Sequence, residues 1–202
     1  MNDANEILSF WFGEDFSDRD DSTIAGQQSK LWWGKDAGID TEIRVRFESL
    51  VQAAGAGELG DWKQRPEGWL ALILLTDQFT RNIYRDTPAM FEFDPIARAL
   101  CIEGLDSEID SALRPIQRVF FYLPLEHSEG AEHQAWCVDL MHGLAREAPE
   151  SQRNTFENFV DYARAHQRIV DRFGRFPHRN AVLGRRSTVE EIEFLKQPGS
   201  SF

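Results

Sequence analysis

PEGWLALILLTDQFTRNI, residues 66–83, decides the fold. Proline suits a first helical turn, where its missing N–H has no partner to lose. Trp69, Leu70, Leu72, Ile73, Leu74 and Leu75 follow almost without a polar interruption. Apolar groups on nearly every side mark a helix wrapped by others. The run from Trp69 to Leu75 falls far short of the ~20 residues that cross a bilayer, so it is read as core. From Thr76 onward the segment turns polar. Asp77, Arg81 and Arg85 recur every four residues and share one stripe, with Gln78 and Asn82 on the next. A buried helix that becomes charged must reach water or line an internal polar cavity.

Around this segment the helix signals are plentiful. Thr87-Pro88 and Asp94-Pro95 each read as an N-cap with proline in the first turn, and Pro115 can open another helix. Thr188 and Glu191 have capping-box spacing. Asn-Gly and Asp-Gly hairpin turns are absent, and no long alternating segment appears. The pattern predicts helices over 3–12, 22–32, 39–54, 66–83, 94–103, 115–123, 129–146, 152–173 and 188–195. Breaks at 55–60 and 104–106 are too short for domain linkers, so residues 1–202 are read as one all-α domain.

The 202 residues include 22 basic and 34 acidic side chains, a net charge of −12. Fifteen Phe and six Trp argue for a packed core over disorder. The negative balance speaks against nucleic-acid and anionic-membrane partners. The start, MNDANEILSFWFGEDFSDRD, has no basic, apolar or cleavage-site pattern of a secretory leader. Cys101 and Cys137 sit in apolar, helix-like surroundings and read as reduced, buried thiols of a cytoplasmic protein.

Three stretches set polar groups in apolar frames: LLTDQFTRNIYRDTP (74–88), FFYLPLEHSEG (120–130) and RFGRFPHRNAVLGRRST (172–188). With ILSFWFGE (7–14), they resemble a bacterial family known as domain of unknown function 924, over nearly the whole chain. The resemblance implies an all-helical, TPR-like array and no activity. From the residues themselves, a Trp-x-x-Leu at Trp69 and Leu72 lacks the remainder of a repeat signature.

In the second stretch, Ser128 is a natural N-cap for a helix starting near Glu129, which would place Glu129 in the first turn. His127, flanked by Glu126 and Glu129, is expected to be held in one tautomer with a raised pKa, as suits proton transfer. His127, Glu129 and His133, with Asp77, match no established metal signature, so no metal or cofactor is assigned. Residues 164–186 carry seven arginines against Asp171 alone, a local charge of +6. Arg164, Arg168 and Arg172 form a solvent-facing row. Gly174 is a C-cap, and Phe173, Phe176 and Leu183 anchor the loop that follows. That loop offers Arg175, His178, Arg179, Asn180 and Arg185, and arginine's planar fork suits carboxylate or phosphate. The same arginines can instead pair with the chain's own acids. His166 reads as a satisfied core histidine.

Two functions stay open. One is a binding module whose Arg81, Asn82, Arg179 and Arg185 grip an acidic peptide tail or another anionic ligand. The other is a small-molecule enzyme, a hydrolase or isomerase of a phosphorylated or carboxylated metabolite. In it Arg81, Arg179 and Arg185 hold the anion, and His127 or His178 moves a proton, oriented by Glu129 or Asp77; under either function Asp77, Asn82, Arg85, Arg175 and Asn180 complete the candidate ligand-binding set. No serine lies in a nucleophile elbow and neither cysteine has a basic neighbour, which disfavours covalent catalysis.

Overall fold

The computed structural model describes residues 4–201. In chain order the helices are α1 (Ala4–Phe12), α2 (Asp21–Trp33), α3 (Ala37–Gly55), α4 (Pro66–Ile73), α5 (Phe79–Ile83), α6 (Asp94–Asp106), α7 (Pro115–Glu126), α8 (Ala131–Glu147), α9 (Arg153–Phe173) and α10 (Val189–Phe194). A π-helical turn, Leu74–Gln78, joins α4 to α5, so residues 66–83 run as one continuous rod. Among the described residues there is no strand, and no helix is long and apolar enough to cross a membrane.

The rod occupies the centre, as its all-round apolarity requires. Every residue from Gly68 to Thr80 is buried. α1, α6 and α7 pack against α4, while α3 lies along α5. Trp11, Phe12, Phe47, Phe79 and Phe120 meet at ring-centroid distances of 5.1–5.6 Å in tilted or edge-on pairs. Each such side chain contributes on the order of 2–3 kcal/mol by leaving water. α8 and α9 pack side by side, and Ile169, Val170 and Phe176 form a small second cluster beneath the C-terminal loop. Cys101 and Cys137 are buried and unbridged.

Several local expectations need correction. Gly104 lies inside α6 and does not break it. A Cβ there would stand 2.4 Å from Phe121 Cζ and 3.0 Å from Trp69 Nε1, so glycine is what lets α6 approach. Asp94 is the first residue of its helix, after Phe93 as N-cap, and its carboxylate turns to Arg81. Thr87 precedes a 3-10 turn, Pro88–Phe91, but its hydroxyl bonds back to the Tyr84 carbonyl. α8 starts at Ala131 with Gly130 as N-cap, so neither Ser128 nor Glu129 plays the end-of-helix part expected of it. Leu183 is 37% exposed and belongs to neither apolar cluster. Thr188 and Glu191 do form the capping box, and Gly174 is a left-handed C-cap at φ +66°.

Candidate functional site

The site begins where the central rod changes pitch. The Phe79 N–H bonds to the Leu74 carbonyl, one residue further back than in an α-helix. Such single π turns are uncommon inside helices and occur frequently at functional sites. Two hydroxyls brace it: Thr76 Oγ1 donates to Leu72 O at 2.7 Å and Thr80 Oγ1 to Asp77 O at 3.0 Å. Asp77 sits within this turn, fully buried.

Asp77 Oδ1 stands 2.8 Å from His127 Nδ1, and Oδ2 accepts a 2.5 Å bond from Gln78 Nε2. His127 is the C-cap of α7. Burial works to raise the Asp77 carboxyl, but the charges of Arg81 and His127 outweigh it, and the group stays ionised far below the usual carboxylate range. An ionised acceptor at Nδ1 fixes the neutral imidazole with its proton on Nδ1 and its lone pair on Nε2. Burial, then Arg81, pushes the His127 pKa down against the opposing pull of Asp77. The expected rise, from Glu126 and Glu129, is therefore reversed in sign and has a different carboxylate behind it.

Arg81 gives two hydrogen bonds to Asp94, at 2.9 and 3.1 Å, and a third to the Asp77 carbonyl at 2.6 Å. Its donors are thus largely committed. Arg179 differs. It ends a 3-10 turn, Pro177–Arg179, and is only 8% exposed. Its guanidinium carbon lies 4.8 Å from the Phe91 ring centre and 4.4 Å from that of Phe176. Among the described residues its closest carboxylate contact is Asp94 Oδ2 at 3.7 Å, beyond hydrogen-bond length, and its Nε is buried with no protein acceptor. Burial, then the charge of Arg81, lowers its pKa to about 10.

These contacts close into a circuit. Phe176 meets His166 at 5.6 Å between ring centres, and His166 meets His127 at 6.4 Å. His127 bonds Asp77, whose Oδ1 is 3.3 Å from Arg81 Nη1. Arg81 forks onto Asp94, Asp94 faces Arg179, and Arg179 lies over Phe176. Helices α6, α7 and α9, the central rod and the C-terminal loop all contribute to it.

His166 Nδ1 lies 2.9 Å from the Tyr162 carbonyl and 3.2 Å from Glu126 Oε1. A carbonyl only accepts, so this nitrogen too carries the proton. Burial drives the His166 pKa down to about 3. Burial, helped by the Asp77 charge, drives Glu126 up to about 8, so this carboxyl keeps its proton at neutral pH.

The C-terminal loop is tied down beside the circuit. Arg185 gives Glu129 two hydrogen bonds, at 2.6 and 2.9 Å, and the Phe176 N–H gives it a third at 2.8 Å. These donors outweigh burial and hold the Glu129 carboxyl below its ordinary range. Glu129 is therefore the loop's fastening. His178 has its ring 5.6 Å from that of Phe176, and burial lowers its pKa to about 4.

The other arginine-site residues go elsewhere. Asn82 and Arg85 both bind Asp40 of α3, at 2.9 Å and at 2.7 and 2.8 Å. Arg175 forks onto Glu191, and Asn180 bonds Ser187 and Glu191. His133 Nδ1 is engaged by Ser128 Oγ at 2.8 Å. Asp94, Phe91 and His166 were not singled out for the site in the sequence. Asp94 hid behind its capping pattern, and His166 behind the apolar stripe of α9. No group of three His, Cys, Asp or Glu among the described residues is arranged to hold a metal ion. A surface cavity of ≈ 430 Å³ lies elsewhere, lined by His142, Arg146, Arg153 and Arg164 with Glu157 and Asp161.

The family described as bacterial protein of unknown function (DUF924) matches residues 7–199. The chain is similar to the solved structure of the protein of unknown function ATU0120 from Agrobacterium tumefaciens. Identity is 36%, 96% of each chain is covered and the TM-score is 0.79. No curated protein matches.

Proposed function

The chain belongs to this bacterial family of unknown function, and from the site itself we propose a small-molecule enzyme that moves a proton on an anionic metabolite. The observation that carries this reading is Arg179, a buried arginine whose Nε has no protein acceptor among the described residues, on the same circuit as the Asp77–His127 dyad. Unsatisfied buried donors are costly, and a ligand anion offsets that cost. Asp77 holds His127 in the tautomer whose Nε2 accepts a proton, and the lowered pKa keeps that nitrogen unprotonated at neutral pH. Arg179 binds and orients the anionic group, and His127 takes a proton from the atom to be activated. Isomerisation and hydrolysis of a carboxylated or phosphorylated metabolite both use such a base.

An acidic-peptide grip asks Arg81, Asn82 and Arg185 to hold a partner's carboxylates. Each is already engaged by Asp94, Asp40 or Glu129, which favours the enzyme over the binding module. The unbridged thiols of Cys101 and Cys137 support a cytoplasmic setting.

The test is a screen of small carboxylates and phosphate esters for hydrogen–deuterium exchange or turnover in D₂O, with wild type, His127→Ala and Asp77→Asn. The expected result is a wild-type activity that His127→Ala removes while ligand binding remains. Activity undiminished in His127→Ala would overturn the assignment.

A further inference from the structure

Resting on the anion site just proposed, we infer that its ligand is a small monocarboxylate and not a phosphate. The charges around the circuit decide this. The carboxylates of Asp77 and Asp94 and the guanidiniums of Arg81 and Arg179 sum to zero, Arg81 holding both carboxylates closely and Arg179 facing Asp94 at 3.7 Å. Glu129 and Arg185, beside them, cancel each other. His127 and His166 are neutral imidazoles in the tautomers fixed above, and the protonated Glu126 adds no charge. The circuit is thus neutral overall, and its one loosely held guanidinium, Arg179, is not part of a cluster of spare cations.

A phosphate dianion would enter beside the carboxylates of Asp77 and Asp94 with only Arg179, itself in a long ion pair with Asp94, to meet it. Arg81 cannot turn to it without leaving its fork on Asp94 and stripping that half-buried carboxylate of its close partner. A carboxylate brings half that charge, and its two coplanar oxygens match the planar fork of one guanidinium. It replaces the 3.7 Å contact between Arg179 and Asp94 with two hydrogen bonds, while Asp94 keeps its fork on Arg81. Phe91 and Phe176, within 5 Å of the guanidinium carbon, supply apolar walls that suit a short carbon skeleton and exclude water.

The experiment uses the full chain at constant ionic strength. Thermal shift and calorimetry compare propionate, lactate and pyruvate with inorganic phosphate and sulfate, for wild type, Arg179→Lys and Arg179→Met. The expected result is saturable binding of at least one carboxylate, weakened tenfold or more by Arg179→Lys, which keeps the charge but loses the fork, and abolished by Arg179→Met. Phosphate and sulfate show no saturable effect. Saturable, Arg179-dependent binding of phosphate or sulfate without the carboxylates would overturn the ligand class and leave the anion site standing. Carboxylate binding that survives in Arg179→Met, in protein that melts cooperatively, overturns the role of Arg179. No Arg179-dependent binding of any anion removes both the class and the site.

Discussion

The Asp77 carboxylate holds His127 Nδ1 at 2.8 Å, tying a π turn in the central rod to the end of α7 fifty positions along the chain. Three charges act on this histidine, and the weakest, Asp94, adds to the pull of Asp77. Asp77 raises its pKa and Arg81 lowers it, with burial the largest downward influence. Asp77→Asn removes the larger raising charge, so the His127 pKa should fall further. Arg81→Met should move it upward. Titration of the imidazole by NMR reads both, and a rise in Asp77→Asn would contradict the electrostatic assignment.

Glu126 gives the fold a pH dependence of known sign. Its folded pKa, about 8, lies above its ordinary 4.5. Folding therefore favours the protonated form, and that contribution is complete below about 4.5 and lost as the pH climbs to 8. Glu126→Gln cannot ionise. Its stability relative to wild type should improve between pH 5 and 8, by up to about 4 kcal/mol. Urea melts at a series of pH values check this, and a difference independent of pH would refute it. His166 and His178, held at about 3 and about 4 instead of 6.5, act at the acid end. Their contribution is present above 6.5 and lost as the pH falls toward 3.

Gly104→Ala tests the helix contact. The new methyl meets Phe121 and Trp69 Nε1 at 2.4 and 3.0 Å, and Trp69 Nε1 is already donating to the Leu100 carbonyl. Neither ring has room to withdraw from the core. The cost should be about 1–3 kcal/mol, a fall in melting temperature of several degrees. An unchanged melting temperature would mean that α6 and α7 separate easily.

Arg179→Met separates stability from binding. The arginine is buried between two rings with a long ion pair and, among the described residues, no side-chain hydrogen bond, so an apolar side chain of similar length should be neutral or stabilising by about 1–2 kcal/mol without ligand. A loss of more than 2 kcal/mol in chemical denaturation would show that the guanidinium serves the fold.

The helices were legible because proline starts and apolar spacing are local signals. Pro66 and Pro115 open α4 and α7 as expected, and Gly174 closes α9. The site was legible in part, since Asp77, Arg81, His127 and Arg179 all appear in the stretches that set charge beside apolar anchors. What stayed hidden depends on neighbours distant in sequence. Spacing put Arg85 on the stripe of Asp77, but α5 ends at Ile83, and Arg85 turns to Asp40. Asp94-Pro95 has the letters of a cap, and only the approach of Arg81 makes its carboxylate part of the site. Nothing local distinguishes Gly104 as a packing glycine from a helix break. The π turn likewise carries no sequence mark.

The most direct test of the central claim is the tautomer of His127 and its response to an anion. Long-range ¹H–¹⁵N NMR of the imidazole at neutral pH should show the proton on Nδ1. Adding propionate, lactate or pyruvate should shift the Nε2 resonance in wild type and leave it unmoved in Arg179→Met. A proton found on Nε2, or a shift that persists without Arg179, would contradict the account.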